Sequence, residues 1–352
     1  MTENTDYIGY IGTYTKGESK GIYSFKLDTT AKTIVDIKLA AAIENPTYLT
    51  ISGNQQYLYS VMKKGELGGV AAFSIEANGE LSAINNQAVE GSPPCHISVD
   101  SKNRYVFTAN YHKGNVESHN LDSNEGLVQP AVSSIKHVGS GPDPRQEKAH
   151  THYAGLTPDE NYLAVVELGT DALISYKVNE DGTLKKASLL PIKAGSGPRH
   201  LAFHPNGKYA YIMTEFSSEV IALNYQPENG HFTEKQYIST IPEDFKENNQ
   251  GSAIHISKDG RYVYAGNRGH NSIALFQVNE ETGELRFLEH TSTEGDWPRD
   301  FSIDPTGKFV VASNQESSNL VLFSRDENSG KLTLLTSDIT VPYPVCVKFL
   351  EK

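Results

Sequence analysis

The sequence predicts an all-β chain folded as a seven-bladed propeller of four-stranded antiparallel blades. Three observations predict it: a recurring two-strand phrase, an apolar anchor that recurs seven times, and chain ends that complement each other.

The phrase is an apolar strand, a polar turn often ending in Gly-Lys or Gly-Arg, and a second strand opening on an aromatic. Leu201-Ala202-Phe203-His204-Pro205-Asn206-Gly207-Lys208-Tyr209 and Phe301-Ser302-Ile303-Asp304-Pro305-Thr306-Gly307-Lys308-Phe309 are two copies, and others surround Tyr57, Tyr105, Tyr162 and Tyr262. Alternating apolar residues flanked by Gly and Asp turns read as a β-hairpin. A third strand follows each phrase, as at Val220–Leu223 and Ile273–Phe276, and then a fourth.

The fourth strands are anchored at Ile34, Leu81, Leu127, Leu184, Phe232, Leu285 and Leu332. Four strands repeating at roughly 46–57 residues are the signature of propeller blades. A helical solenoid would need long stretches of 3.6 periodicity, and a two-sheet sandwich would not need the phrase so many times.

The chain ends predict closure. Pro344-Val345-Cys346-Val347-Lys348-Phe349 matches Pro46-Thr47-Tyr48-Leu49-Thr50-Ile51, so a C-terminal first strand completes a blade whose other strands lie near Ile8–Thr13, Gly21–Leu27 and Thr33–Leu39. Such a blade leaves the ring no open edge. The expectation is one domain over residues 1–352.

Acidic residues outnumber basic ones 43 to 31, for a net charge of −12. A chain without a Lys/Arg block argues against duplex nucleic acid as a partner. Cys95 and Cys346 have neither CxxC nor framework spacing, which fits a reducing compartment. The polar, acidic start Met1-Thr2-Glu3-Asn4-Thr5-Asp6 does not read as a signal peptide, and no apolar run approaches membrane-spanning length. A cytoplasmic protein without membrane partners, monomeric or weakly dimeric, is expected.

Function is sought where one blade carries chemistry its siblings lack. Aligned first strands place Thr47, Cys95, His152, Arg199, Ser252, Arg299 and Val345 at equivalent positions near one mouth of the central channel. His152, Arg199 and Arg299 are the departures. The second strands end on Asn110, Glu167, Thr214, Asn267 and Asn314, and one residue further stand Glu215 and Arg268 on adjacent blades. Asn at a strand end commonly serves a turn, and Glu215 with Arg268 reads equally as an inter-blade ion pair or as catalytic machinery. The excess length of one interval lies in Lys136–Lys148, a loop carrying Gly139-Ser140-Gly141-Pro142 and Arg145 that leads into His150-Thr151-His152.

Strand alternation would put His150 and His152 on one face, but no third ligand has matching spacing, so no metal and no cofactor is expected. His204 and His255 read as blade-packing residues. Nucleophile elbows and zinc-protease motifs are absent. An Arg/His cluster with one Glu suits a small anionic substrate gripped by guanidinium groups.

Several segments resemble the propeller-type lactonases. They are Tyr10-Ile11-Gly12-Thr13-Tyr14 with Gly21-Ile22-Tyr23; Arg145-Gln146 followed by His150-Thr151-His152-Tyr153-Ala154-Gly155; Gly197-Pro198-Arg199-His200; Gly266-Asn267-Arg268-Gly269-His270-Asn271-Ser272-Ile273; and Pro298-Arg299-Asp300-Phe301. That family includes bacterial 6-phosphogluconolactonase and the fungal carboxymuconate-lactonising enzyme. The resemblance implies hydrolysis of 6-phosphogluconolactone to 6-phosphogluconate, in the oxidative pentose phosphate route. It implies His152, Arg199, Glu215 and Arg268 as the catalytic set. Glu215 or His152 would then be the general base and Arg199 or Arg268 the oxyanion stabiliser, with Arg145, His150, Arg299 and Asn267 binding substrate. The alternatives are a cycloisomerase or lactonase acting on a muconate-type dicarboxylate, and a non-catalytic binding propeller.

Overall fold

The computed structural model describes residues 6–351; the leader reading at Met1–Thr5 lies outside them. Twenty-eight strands form seven four-stranded antiparallel sheets. The first blade takes Pro344–Phe349 from the C-terminus as its innermost strand, followed by Asp6–Thr13, Gly21–Asp28 and Thr33–Ala42. Each later blade is built from consecutive strands, beginning at Leu49–Ile51, His96–Val99, Thr151–Leu156, Pro198–Phe203, Gln250–Ile256 and Pro298–Ile303. These innermost strands pack against one another in a closed ring, with Pro298–Ile303 and Leu49–Ile51 flanking Pro344–Phe349. The expected fold and terminal closure are therefore what the chain adopts. The anchor read at Leu127 falls one residue early, because the fourth strand of the third blade starts at the buried Val128.

The recurring aromatic has a physical reason. Tyr57, Tyr105 and Tyr209 each donate a phenol hydrogen bond of 2.6 Å to a backbone carbonyl, of Asn124, Glu180 and Glu281, in the next blade's last turn. Tyr162 and Tyr262 reach Glu228 and Asn328 in the same way. Their rings lie where a Cβ of Gly126, Gly182, Gly283, Gly230 and Gly330 would fall, and all five glycines have positive φ. The turn glycine thus both adopts the left-handed conformation and leaves room for the neighbour's ring. A buried Tyr gains about 1.5–3 kcal/mol from apolar burial, so the phrase is an inter-blade staple. At the seventh-to-first junction Phe309 replaces Tyr and Lys32 holds the positive φ, so this hydrogen bond is missing where the ends meet.

The cores lie between blades. Tyr211, Met213, Val220 and Ala222 of the fifth blade interleave with Val263, Ala265, Ala274 and Phe276 of the sixth, and similar clusters fill the other junctions. Fourth strands such as Val128–Lys136 face solvent along most of their length. Among the described residues no helix is long and apolar enough to cross a membrane.

Candidate active site

Several inner strands enter the ring with a defect. Pairing registers slip between Thr151 and Tyr153, Pro198 and His200, and Pro298 and Asp300. The extra residues at these bulges are His152, Arg199 and Arg299. A bulge re-aims a side chain out of strand alternation, and here it gathers three departures from the repeat at one mouth of the channel. The sixth blade slips between Gly251 and Ile254, at Ser252.

A cavity of about 510 Å³ opens at this mouth. His152, Glu215, Arg268 and Arg299 line it, together with Cys95, Tyr111 and Trp297. Arg199 lies beneath the wall, 3% exposed, and acts through Glu215.

Glu215 is the electrostatic centre. Its Oε2 accepts from Arg199 Nε at 3.1 Å and Arg268 Nη2 at 2.7 Å. Oε1 has only Arg145 Nη1 near it, at 3.9 Å. Arg199 Nη1 also donates to the Ser252 carbonyl and Arg268 Nη2 to that of Gly251, both at 2.7 Å, so backbone and carboxylate together fix the two guanidiniums. The buried Nε of Arg268 has no protein partner.

Burial opposes ionisation of Glu215, but Arg268 and Arg199 outweigh it and hold the carboxyl below its ordinary range. Burial, with Arg268 and Arg299 as like charges, pulls Arg199 down to about 9, so it remains charged at neutral pH. His152 is held well below the ordinary imidazole value by burial and by Arg199 and Arg299, and its buried Nδ1 lacks a protein partner. The site is thus a carboxylate, a neutral imidazole and an excess of guanidinium charge. Arg299 has no carboxylate partner; it donates to Gln315 Oε1 at 3.2 Å and lies over the Tyr14 ring.

Three expected substrate contacts are placed elsewhere. His150 precedes the strand, stacks on Tyr111 at 4.1 Å, and engages the Tyr111 carbonyl and Glu147. The bulge at His152 breaks the alternation on which a shared strand face relied, and only His152 lines the cavity. Arg145 packs on the Phe216 ring at 3.8 Å and pairs with Asp143. Asn267 is fully buried, with its amide bonded to Thr240 Oγ1 and the Thr240 carbonyl, so it serves the turn. His204 and His255 pack as expected, His204 against Tyr209 and His255 between Asp300 and Phe301.

Sequence reading missed most of the cavity wall, although the repeat contains the signal. The position six residues after Ile8, Tyr57, Tyr105, Tyr162, Tyr209, Tyr262 or Phe309 is Tyr14, Lys63, Tyr111, Leu168, Glu215, Arg268 or Gln315. Five of these line the cavity, and a sixth, Gln315, holds Arg299. Backbone bonding shows the equivalence: Tyr14, Leu168, Glu215 and Gln315 each donate N–H to the segment before their blade's first strand, to Tyr343, His150, Gly197 and Trp297.

Below the cavity, His96, His152, His200, Tyr48 and Tyr153 form a contiguous ring cluster in the channel. Burial, reinforced by neighbouring cations, holds all three histidines well below their ordinary pKa. The unfolded chain takes up protons below about pH 6.5 and the folded one does not. Their contribution to stability is therefore fully present above that pH and drains away as pH falls below it. Each histidine is expected to cost up to about 1.4 kcal/mol per pH unit in that window. Thermal melts between pH 7.5 and 5, above the range where carboxylates titrate, should show a falling Tm; a flat Tm would contradict neutral, buried histidines.

Fold and site together define a lactonase-type propeller, and the chain belongs to that family: the profile described as "Lactonase, 7-bladed beta-propeller" matches residues 8–349. Among characterised relatives it is 56% identical over 349 residues to the 6-phosphogluconolactonase of Bacillus subtilis, covering 99% of both chains. A crystal structure of a Lactobacillus plantarum protein, 44% identical, superposes with a TM-score of 0.95 over 98% of this chain and 100% of that one. The Pseudomonas aeruginosa periplasmic gluconolactonase, 31% identical, does so with a TM-score of 0.93 over 98% and 99%.

Proposed function

We infer that the protein is a lactone hydrolase and that its substrate is 6-phosphogluconolactone, opened to 6-phosphogluconate. The observation that carries this reading is the pairing of one buried carboxylate with surplus guanidinium charge on a cavity wall, in a protein whose net charge is strongly negative. Such a pocket concentrates a small anion against the field of the rest of the surface. The match in sequence to a 6-phosphogluconolactonase along nearly the whole chain supports the choice of lactone.

Lactone hydrolysis needs a water activated for attack and a donor for the tetrahedral oxyanion. Glu215 is the base: Oε1 is the carboxylate oxygen not taken by Arg199 or Arg268, and it can accept a proton from a water over the lactone carbonyl. Arg268 lines the cavity beside it and stabilises the oxyanion. Arg199 is a positioning residue that fixes the Glu215 carboxylate from beneath. Neutral His152 hydrogen-bonds to the water or to the ring oxygen, which leaves as an alcohol by taking up the proton that Glu215 removed from the water. On this reading the enzyme serves the pentose phosphate route in the cytoplasm.

The test is hydrolysis of freshly generated 6-phosphogluconolactone, with the spontaneous rate subtracted. Acceleration by the wild type and a loss of about a hundredfold or more in kcat for Arg268→Ala are expected. Full activity in Arg268→Ala would remove the oxyanion assignment, and no acceleration by folded wild type would remove the function.

A further inference from the structure

We propose that Lys63 is the phosphate-binding residue of this cavity and makes it select phosphorylated over unphosphorylated lactones. The proposal rests on the lactonase reading and extends it to a residue so far without a role.

Lys63 is the penultimate residue of the second strand of the second blade, Tyr57–Lys64, and lines the cavity. It holds the repeat position that supplies Glu215 in the fifth blade and Arg268 in the sixth. In a seven-membered ring the second and fifth blades are as far apart as two blades can be, so Lys63 faces Glu215 across the mouth. The substrate has matching polarity: its reacting carbonyl and its phosphate ester sit at opposite ends of the sugar. With the carbonyl at Glu215 and Arg268, the phosphate points to the opposite wall.

The other cations have partners of their own or stand at the reacting end. Arg268 and Arg199 hold Glu215. Arg145 packs on Phe216, pairs with Asp143 and reaches Glu215 Oε1 at 3.9 Å, which keeps it on the Glu215 side, and His150 is held by Tyr111 and Glu147; neither lines the cavity. Arg299, on the seventh blade beside the blade of Arg268, is held by Gln315 Oε1 at 3.2 Å and by the Tyr14 ring. Among the described residues that line the far wall, with Asn45, Thr47, Ser92 and Cys95, the other basic group is His112, which burial keeps from protonating readily. Lys63 is the permanent cation there. Its present partner is Glu44, at 3.4 Å, with both side chains about two-fifths exposed. An ion pair this exposed is weak, so a phosphate dianion can take the ammonium from it.

Trp297 is the sole tryptophan of the chain and lies on the cavity wall, under Arg268. Its fluorescence reports occupancy without turnover. Titrating wild type and Lys63→Ala with 6-phosphogluconate should show Kd raised about tenfold to a hundredfold by the substitution, the range for a lost charge-assisted contact. Binding of gluconate, which lacks the phosphate, should be unchanged. In turnover, Lys63→Ala should raise KM for the phosphorylated lactone with kcat retained, and the neighbouring Lys64→Ala should do neither. Equal binding of 6-phosphogluconate by wild type and Lys63→Ala, or equal losses for both ligands, would overturn the assignment. A wild type that hydrolyses the lactone without preferring the phosphorylated form overturns Lys63 alone. One that neither binds nor hydrolyses overturns the lactonase reading as well.

Discussion

Glu215→Gln is expected to lower lactone turnover by at least about a hundredfold, the lower end of what a positioned general base contributes. Glutamine keeps the shape and can still accept from Arg199 and Arg268, but it cannot take a proton from water. The substitution also removes the counter-charge of two buried guanidiniums that share Oε2. Breaking a buried ion pair costs about 3–5 kcal/mol, so Tm should fall too. Rate and stability must therefore be read separately, with turnover measured well below the variant's Tm. If Glu215 served only as an inter-blade ion pair, the folded fraction of Glu215→Gln would keep wild-type kcat. His152→Ala is the companion: a hundredfold loss there with activity kept in Glu215→Gln would move the base to the imidazole. Both groups are held below their ordinary pKa. The catalysed rate should therefore show no inflection near pH 6.5, where a free histidine titrates.

Why the site was only partly legible follows from how it is built. Arg199, Glu215 and Arg268 stand out in the sequence because most other copies of the repeat hold uncharged residues at the same place. Cys95, Tyr111 and Trp297 line the same cavity, yet a cysteine, a tyrosine and a tryptophan in a β-rich chain look like packing until the ring shows which way they face. Lys63 was hidden for a different reason. Lysine is common at strand ends on any surface, and only the shared register with Glu215 separates it from the exposed Lys64 beside it. His150 and Asn267 go the opposite way. Both stand close in sequence to residues that line the cavity, but the bulge at His152 and the Thr240 turn give them structural partners. Strand alternation is read from sequence as unbroken, and this site is made where it breaks. The fold was far more legible, because the Tyr–Gly staple imposes the same few residues at every junction that uses it.

Removing the last ten residues, from Tyr343 onward, is expected to unfold the whole ring rather than fray one blade. The segment contains the innermost strand of the first blade, Pro344–Phe349, paired with Asp6–Thr13 from Gly9↔Phe349 to Gly12↔Cys346. Its Val345, Cys346, Val347 and Phe349 are buried, and Phe349 meets Phe25 edge-on at 5.4 Å. At about 1.5–3 kcal/mol per buried apolar side chain, their loss is comparable with the 5–15 kcal/mol that stabilises a typical domain. Two further losses fall on the seventh blade. Asp300 Oδ2 accepts from the Val347 N–H at 3.0 Å and is buried, so truncation leaves a carboxylate facing an empty channel position. Phe309 and Val311 share their core with Val347 and Phe349, at the junction that already lacks the tyrosine staple. Inner strands touch all round the ring, so opening it there exposes edges on both sides. Removing only residues 351 and 352 takes away a surface pair between Glu351 and Lys258 and a bond to Gln55, and should leave Tm nearly unchanged. Chemical denaturation of the ten-residue truncation, followed by Trp297 fluorescence at the cavity and by far-ultraviolet circular dichroism of all strands, separates the outcomes. Loss of both signals in water means the ring stands or falls as one unit; retention of most β-signal would mean the remaining blades hold together without closure.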